Sequence, residues 1–371
     1  MDTTLIGIDV FSGAGGMSLG AEWAGINVTV AIENDIHAAE TFRFNHPNTK
    51  LIIDDIRNVD GEAMCKSAPF ILFGGPPCQG FSLSNTKTRT EKNPNNSLFE
   101  EYIRIVKELR PEWVVFENVE GFQNFQKGAV AKHLCELLNE LEYKNLQQKV
   151  LWASDFGVPQ NRNRFFLVGN RMGIEYGFPK PVQHKVSVWE AIYDLPSLKN
   201  GDFFDVLPYT TKELNSYTNF MRRNSNSVLQ NFVSLNKEYV IERYKHIKTG
   251  QNWKAIPPEM MSNYSKISNT HSGIYKRLDP NLPSVVISNY RKNMLIHPFE
   301  HRGLSVREAA RLQSFPDDFI FKGSLMYIQQ QIGNAVPPLL AYELFKSIIE
   351  ASNGRKTIPS HSSAERTLLE V

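Results

Sequence analysis

The feature that most constrains the fold of this chain is the regular alternation of strand-like and helix-like segments in its first half. Short apolar runs typical of buried strands lie at residues 6–11, 28–33, 70–73, 113–116 and 165–168. Segments with helical spacing lie between them, at residues 19–23, 36–45, 97–109 and 130–141. The alternation predicts an α/β fold, with a doubly wound, mostly parallel sheet and helices on both faces. Because ligands of such sheets bind at the carboxyl ends of the strands, the residues after each strand are candidates for function.

The pattern changes near Phe178, which suggests a second domain. From Pro179 the chain is rich in Asn, Ser, Tyr, Lys and Pro and shows no regular alternation, and helical spacing returns at residues 305–313 and 337–349. We therefore expect residues 1–178 plus 328–352 to form one domain. Residues 179–327 are expected to form a smaller, irregular domain with a hinge, and residues 353–371 a polar tail.

Composition limits the function only weakly. The chain has 41 Lys and Arg residues against 39 Asp and Glu, so its charge neither favours nor excludes nucleic acid as a ligand. It has no apolar run near the ~20 residues that span a membrane and no secretory signal, which predicts a cytoplasmic protein without a membrane partner. Its cysteines, Cys65, Cys78 and Cys135, are too few for a disulfide framework or a zinc quartet. We expect no metal site.

A glycine-rich turn, residues 9–16, lies between the first predicted strand and the first helix. Glycines there let the backbone approach a ligand, although a tight turn alone would explain them. The turn is not a G-x-G-x-x-G motif, because Ser18 occupies the third glycine position, and it is not a P-loop. Glu33 ends the second strand, where an acid can accept hydrogen bonds from ribose hydroxyls. Asp55 follows a third apolar segment and can bind an adenine amino group, so the set predicts an adenosine cofactor without phosphate.

The segment Gly-Gly-Pro-Pro-Cys-Gln-Gly-Phe-Ser, residues 74–82, follows a buried strand. Its prolines stiffen the approach, so Cys78 is expected to be presented at the carboxyl edge of the sheet. A thiolate is a strong nucleophile, and no histidine base lies close in sequence. These residues favour attack on an electron-poor ring over attack on an amide. The alternative is a structural cysteine in a turn.

These motifs, in this order, resemble those of the cytosine-C5 DNA methyltransferases, in particular the enzymes of bacterial restriction–modification systems. The resemblance covers about residues 5 to 350. The matching segments are Phe-Ser-Gly-Ala-Gly-Gly at 11–16, Gly-Pro-Pro-Cys-Gln-Gly-Phe-Ser at 75–82, Glu-Asn-Val at 117–119, Gln-Asn-Arg-Asn-Arg at 160–164, Arg-Glu-Ala-Ala-Arg-Leu-Gln-Ser-Phe-Pro at 307–316 and Gln-Ile-Gly-Asn-Ala-Val-Pro-Pro at 331–338.

The resemblance implies a Rossmann-like fold that binds S-adenosylmethionine and transfers its methyl group to carbon 5 of cytosine. Cys78 would bond to carbon 6 of the ring. Glu117, if protonated, would contact ring N3 and the exocyclic amine, and Arg164 would hold O2 with Arg162 beside it. The implied cofactor-binding residues are Phe11, Gly13, Gly16, Glu33, Asn34, Asp55, Ile56, Pro77, Asn334 and Val336. Asn34 departs from the tryptophan that is frequent in the family, so weaker stacking on adenine is expected there.

The resemblance also implies that the cytosine is flipped out of double-stranded DNA. Residues 82–96 are polar and basic, and we interpret them as a loop that closes on DNA. The implied DNA-binding residues are Gln79, Ser82, Ser84, Lys87, Arg89, Tyr290 and Arg291. By position, residues 179–304 match the target-recognition domain. We expect a monomer, associated with the bacterial nucleoid and paired in function with a restriction endonuclease.

Two other functions stay open at this point. The same chemistry could act on tRNA, but the chain lacks the Cys-Phe-Thr tripeptide that such relatives carry after the arginine motif, and its long variable region favours duplex DNA. A non-catalytic binding protein of the same fold would have a damaged active site. Cys78, Glu117 and Arg164 are all present, which argues against that function.

Overall fold

The structure is a computed structural model that describes residues 4–77, 98–263 and 273–354 of the 371-residue chain. The described residues form two compact units. The first comprises those of residues 1–152, 163–181 and 338–362, and the second comprises those of residues 153–162 and 182–337. Among the helices of the described part, none has the length and apolar character needed to span a bilayer.

The regular elements have the following bounds. The strands are β1 (Ile6–Val10), β2 (Asn27–Glu33), β3 (Lys50–Ile53), β4 (Ile71–Gly74), β5 (Trp113–Asn118), β6 (Lys144–Trp152), β7 (Asn163–Asn170), β8 (Phe203–Leu207) and β9 (Val228–Phe232). The helices are α1 (Gly16–Trp23), α2 (Ile36–Asn45), α3 (Leu98–Leu109), α4 (Ala129–Glu140), α5 (Val188–Ile192), α6 (Ser216–Arg222), α7 (Glu238–Lys245), α8 (Val306–Leu312), α9 (Leu325–Asn334) and α10 (Pro338–Asn353).

The first unit is built on a mostly parallel sheet, as the alternation predicts. Within the described residues it has seven strands in the order β3-β2-β1-β4-β5-β7-β6. The pairs β1–β2, β2–β3, β1–β4 and β4–β5 are parallel, and β7 runs antiparallel to both of its neighbours. Strands β4 and β5 are buried along their whole length. This burial explains why their sequences read as continuous apolar runs rather than as alternating ones.

The order of the strands determines which edge of the sheet can bind a ligand. The chain passes from β1 outward through β2 and β3, then returns to β4 and β5 on the other side, so the winding reverses between β1 and β4. The register aligns the strand ends, since Val10 lies opposite both Ile32 and Gly74 and Gly74 lies opposite Phe116. The loops after these strands therefore share one edge of the sheet, which is where ligands bind in this kind of fold.

Helix α10 comes from the far end of the chain and packs against α1 in the first unit. A Cβ atom on Gly20 would lie 2.5 Å from the carbonyl oxygen of Pro338 and 2.6 Å from the Cβ of Ala341, so only glycine permits this approach. Phe345 of α10 also reaches the sheet, where its ring lies 4.8 Å from that of Phe73 between centroids. The helix thus covers part of the apolar face of the sheet.

The second unit is irregular and contains the antiparallel pair β8–β9 with short helices. A small separate core forms around α7 from buried side chains that include Tyr244, Tyr275 and Ile296. The domain boundary that the sequence predicts at residue 328 falls inside α9. In the structure all of α9 belongs to this unit. The side chain of Gln313 donates to the carbonyl oxygen of Ile332 at 2.6 Å, which fastens α9 to the segment after α8.

Candidate active site

The turn between β1 and α1, residues 11–15, is called the glycine loop below. Gly13 and Gly15 have φ angles of 57° and 97°, and the non-glycine Phe11 has a φ of 67°. A positive φ at a bulky residue is strained and persists only where the surroundings fix it, often at a binding site. Among the described residues, the buried hydroxyl of Ser12 has no hydrogen-bond partner. Buried polar groups are normally paired, so the loop has the features of a binding surface.

Glu33 holds the glycine loop against the end of β2. Its Oε2 accepts a hydrogen bond from the backbone N–H of Gly13 at 2.7 Å, and its Oε1 accepts one from Asp35 at 2.7 Å. Burial raises the pKa of Glu33, and the backbone hydrogen bonds from Asp35 and Gly13 act in the opposite direction. The backbone of Asn34 also contributes a hydrogen bond, and a carboxylate has about four acceptor positions, so Glu33 can still accept a hydrogen bond from a hydroxyl group.

The remaining candidates for cofactor binding in the first unit lie along the same edge. Asp55 is partly exposed, and its Oδ1 and Oδ2 accept from the backbone N–H and the guanidinium of Arg57 at 3.0 and 3.3 Å. Asn34 and Pro77 are exposed, whereas Ile56 is buried in the core. Gly16, the first residue of α1, is buried.

Asn334 and Val336 belong to the second unit. Asn334 is the last residue of α9 and is exposed, and Val336 is buried two residues later. Tyr290 and Arg291, expected to bind DNA, also lie in this unit. Arg291 is exposed, but Tyr290 is only 2% exposed, and burial raises the pKa of its hydroxyl. The Tyr290 ring is therefore part of the interior of the second unit, and its binding of DNA stays a prediction.

An ion pair joins the two predicted catalytic side chains of β5 and β7. Nε of Arg164 donates to Oε1 of Glu117 at 2.8 Å, and the two side chains are 12% and 10% exposed. Glu117 lies near the end of β5 and Arg164 near the start of β7. Because β7 is antiparallel to β5, with Phe165 opposite Asn118, its first residues lie at the same edge of the sheet as the end of β5.

The Glu117 carboxylate also lies beside the segment that leads to Cys78. A Cβ atom on Gly75 would be 2.3 Å from Oε2 of Glu117, so the glycine leaves room for the carboxylate. The next residue of β5, Asn118, donates from Nδ2 to the carbonyl oxygen of Pro76 at 3.3 Å. The end of β5 thus contacts residues 75 and 76 directly. Gly75 and Asn118 lie within the motifs at residues 75–82 and 117–119, but the motifs alone do not indicate these two contacts.

The other predictions for this edge fall outside the described residues. These are the nucleophile and the DNA loop, with Cys78, Gln79, Ser82, Ser84, Lys87 and Arg89. In the described part of the chain, no group of three or more His, Cys, Asp or Glu side chains is arranged to hold a metal ion.

Arg162 has surroundings different from those we expected. It belongs to the second unit and is 1% exposed. Its guanidinium donates to the carbonyl oxygens of Ile287 at 3.0 Å and Gly333 at 2.8 Å. The neighbouring Gln160 accepts from the N–H of Ile287 at 2.9 Å and donates to the carbonyl oxygen of Leu312 at 3.1 Å. These bonds join distant segments of the second unit.

Replacing Arg162 by methionine is therefore expected to destabilise the protein. Each of the two carbonyl groups would lose its donor, at about 1–3 kcal/mol per buried acceptor left unpaired. Urea unfolding measures the loss of stability. The matched control is Arg291→Met, an exposed arginine of the same unit, for which we expect little change. An Arg162→Met protein with wild-type stability would contradict the structural role.

The motif at residues 307–316 is also structural. Arg311 is fully buried and donates to Asp194 and Asp317 at 2.7 Å each. Burial raises the pKa of Asp317 and the guanidinium of Arg311 lowers it, and the pKa is lowered overall. Arg307 donates to the carbonyl oxygens of Leu229, Pro316 and Phe319. The sequence offers no local signal for the pair of Arg311 with Asp194, because the two residues are 117 positions apart.

With this geometry in place, comparisons identify the family. The family model described as C-5 cytosine-specific DNA methylase matches residues 5–350, so the chain belongs to that family. It is similar to the Type II methyltransferase M.DdeI of Desulfomicrobium norvegicum, with 35% identity over 92% of this chain and 88% of that protein. It is also similar to M1.HphI of Haemophilus parahaemolyticus, with 33% identity over 92% of this chain and 86% of that one.

A solved structure supports the same assignment. A prophage-encoded putative DNA modification methyltransferase of E. coli superposes with a TM-score of 0.79 and 27% identity, covering 94% of this chain and all of that one. The sheet is therefore that of a Rossmann-like methyltransferase, as predicted. The chain is a DNA (cytosine-5)-methyltransferase of the Type II kind.

Proposed function

We propose that this enzyme uses S-adenosylmethionine to methylate carbon 5 of a cytosine flipped out of double-stranded DNA. The observation that carries the proposal is the Glu117–Arg164 pair, whose carboxylate lies against Gly75 in the segment leading to Cys78. A carboxyl group and a guanidinium side by side match N3 and O2, which are neighbouring polar atoms of the cytosine ring. A thiol three residues beyond Gly75 supplies the nucleophile that ring addition needs.

The residues at the ends of β1 to β3 fit the adenosine part of the cofactor. Three features lie at this edge: the strained Phe11, the acceptor capacity of Glu33, and the buried Ser12 hydroxyl. The Ser12 hydroxyl has no hydrogen-bond partner within the part of the chain that the structure describes. We assign Phe11 to adenine stacking, Glu33 to the ribose hydroxyls and Asp55 to the adenine amino group. When bound, S-adenosylmethionine supplies the electrophilic methyl group that carbon 5 takes up.

The chain's own residues perform the steps on the base. The thiolate of Cys78 adds to carbon 6, forming a C–S bond and pushing electrons toward N3 and carbon 5. Glu117 stabilises this charge by holding a proton at N3, and Arg164 donates to O2. After carbon 5 has been methylated, a base removes the proton from carbon 5. The electrons of that C–H bond restore the ring double bond, and the C–S electrons return to Cys78 as the thiolate.

The ion pair itself needs a rearrangement before catalysis. A guanidinium 2.8 Å from a carboxylate favours the charged carboxylate, whereas Glu117 must carry a proton to donate to N3. We infer that the incoming base draws Arg164 from Glu117 to O2, and that Glu117 then takes up a proton. The pair thus keeps both side chains in place before the cytosine arrives, which lowers the cost of organising the site.

Arg162 has a different part in this proposal. Its Nη1 and Nη2 atoms donate to backbone carbonyls of the second unit. We therefore assign it to holding that unit together rather than to contacting the base.

The biological setting follows from the family. We infer that the enzyme modifies a specific duplex sequence and is paired in function with a nuclease of the same specificity. The similarity to Type II methyltransferases supports this inference.

Methyl transfer from tritiated S-adenosylmethionine tests the proposal. Unmethylated duplex plasmid and unmodified tRNA are offered separately, and bisulfite sequencing of the plasmid then locates the product. We expect label only in the duplex, at one cytosine of a recurring sequence. Label in tRNA and not in duplex DNA would replace the proposal by the RNA alternative.

Glu33→Gln is expected to weaken cofactor binding by about tenfold, which corresponds to one charge-assisted hydrogen bond lost. The amide keeps the volume of the side chain but loses the charge and one acceptor. Calorimetry with S-adenosylhomocysteine measures the change. The control is Glu40→Gln, an exposed acid on α2, which should leave the affinity unchanged. An unchanged affinity of Glu33→Gln would remove this residue from the cofactor site.

A further inference from the structure

We propose that His46 is a positioning residue that packs against the backbone of the glycine loop at Gly15 and so sets the affinity for the adenosine cofactor. This inference rests on the proposed function, because it takes the glycine loop as the cofactor-binding surface. No motif of the sequence gives His46 a role. The residue directly follows α2, and its side chain is fully buried.

The His46 ring lies directly against the loop backbone. A Cβ atom on Gly15 would be 2.3 Å from Nε2 and 2.7 Å from Cδ2 of the ring. Gly15 has a φ of 97°, in the region that favours glycine. The backbone at Gly15 can therefore lie against the ring because it has no side chain. Any larger residue at position 15 would push the loop away from its support.

Phe42 and Glu22 both contact the ring and hold it in place. It stacks on Phe42 of α2, with 4.4 Å between the ring centroids and 30° between the planes. Its Nδ1 donates to Oε1 of Glu22 at 2.9 Å, and Glu22 belongs to α1, the helix that follows the loop. His46 thus connects the end of α2 to both ends of the Gly15–α1 segment. A buried ring fixed in this way cannot move independently of the loop.

Residues 33–46 therefore support the glycine loop at two points. Glu33 binds the N–H of Gly13 at one end of this segment, and His46 packs under Gly15 at the other. The same Glu33 carboxylate is assigned to the ribose. If the ring is lost, Gly15 gains space and the N–H of Gly13 shifts relative to Glu33. That shift acts on binding of the cofactor, whereas Glu117 and Arg164 at the ends of β5 and β7 are left in place.

The test separates the ring from its hydrogen bond. His46→Gln keeps a polar group that can reach Glu22 but removes the ring, and His46→Phe keeps a ring that can stack but removes the hydrogen bond. The matched control is His133→Gln, an exposed histidine of α4 that lies 3.8 Å from the carboxylate of Glu136. The full-length proteins are titrated with S-adenosylhomocysteine by calorimetry. Methyl transfer to unmethylated plasmid is then measured over a range of S-adenosylmethionine concentrations.

We expect His46→Gln to raise the dissociation constant and the KM for the methyl donor by about tenfold, which corresponds to one hydrogen bond lost at the cofactor site, with kcat nearly unchanged. His46→Phe should stay close to the wild type, and His133→Gln should equal it. A residue with a purely structural role would lower the unfolding midpoint and leave the affinity of the folded protein unchanged.

Two outcomes overturn the assignment, and both differ from failure of the proposed function. Wild-type affinity in folded His46→Gln would show that the ring does not support the loop. Equal losses in His46→Gln and His46→Phe would show that the ring is not the part that matters. If the wild-type protein itself bound no S-adenosylhomocysteine, the proposed function would fail instead.

Discussion

The Cys78→Ala protein is expected to bind S-adenosylmethionine with unchanged affinity and to transfer no methyl group to DNA. Carbon 5 of cytosine is a poor nucleophile until a thiolate has added to carbon 6, and alanine cannot add. The cofactor residues that we assign lie at the ends of β1 to β3, whereas Cys78 follows β4. The substitution should therefore abolish turnover without changing the affinity for the cofactor. Calorimetry measures the first, and tritium incorporation into unmethylated plasmid measures the second.

The other two cysteines provide the control. Cys65 and Cys135 are free thiols, partly buried, and pack against the core of the first unit. The sulfur of Cys135 accepts a hydrogen bond from Nε2 of Gln148 at 2.8 Å, and burial raises the pKa of this thiol, which makes it a poor nucleophile. Alanine at either position should leave turnover intact.

DNA that contains 5-fluorocytosine should form a stable adduct with the wild type and none with Cys78→Ala. Full turnover by Cys78→Ala would exclude the covalent step.

Glu117→Gln should lower kcat by about 10²–10³-fold, the loss typical of removing one group that stabilises a developing charge. Glutamine has nearly the same shape and can still accept a hydrogen bond from Arg164, so the fold should persist. Its amide cannot deliver a proton to N3, so the charge created by thiolate addition would lack its main stabilisation. A single-turnover measurement with saturating cofactor isolates this step from product release.

A matched acid in the same unit serves as the control for Glu117. Glu142 pairs with Arg110 at the surface, away from the edge that holds Glu117. Glu142→Gln should leave kcat unchanged, because exposed ion pairs contribute little. The double variant Glu117→Gln with Arg164→Ala should lose less than the product of the two single losses, since the residues act as one unit. Strict additivity would indicate that the two side chains act independently, and wild-type kcat in Glu117→Gln would remove it from the reaction.

The alternation of segments was enough to predict β1, β2, β4 and β5 and the helices α1 to α3, because these strands are mostly buried and strongly apolar. The region of β3 was recognised only as a third apolar segment, and this strand is only partly buried. Strand β6 was missed, since Lys144–Trp152 is the outermost strand and most of its residues are polar or exposed. The direction of β7 could not be predicted either. An apolar run such as residues 165–168 reads the same in a parallel and an antiparallel strand, yet only the antiparallel direction brings Arg164 to Glu117.

Long-range hydrogen bonds mark the limit of what the motifs reveal. Glu33 could be predicted at a strand end because the position follows from the winding of the sheet. Arg162 was expected beside Arg164, yet its guanidinium binds carbonyl groups 125 and 171 residues away. A motif shows that an arginine is needed but not which group it binds. His46 lies in no motif, and the role that we propose for it depends on the contact of its ring with Gly15, 31 residues earlier in the sequence.

The packing of α10 on α1 has a consequence for how the enzyme comes into being. Domains generally fold as units, and an N-terminal domain can fold while translation of the rest of the chain continues. Here α1, which carries Gly20, packs against Pro338 and Ala341 of α10. The first unit therefore cannot complete its packing until residues 182–337 of the second unit have been synthesised. A nascent chain halted before residue 338 would leave the apolar surface around Phe73 uncovered. We therefore expect modification of DNA to depend on finished molecules, with prematurely terminated products cleared by proteolysis instead of acting as partial enzymes.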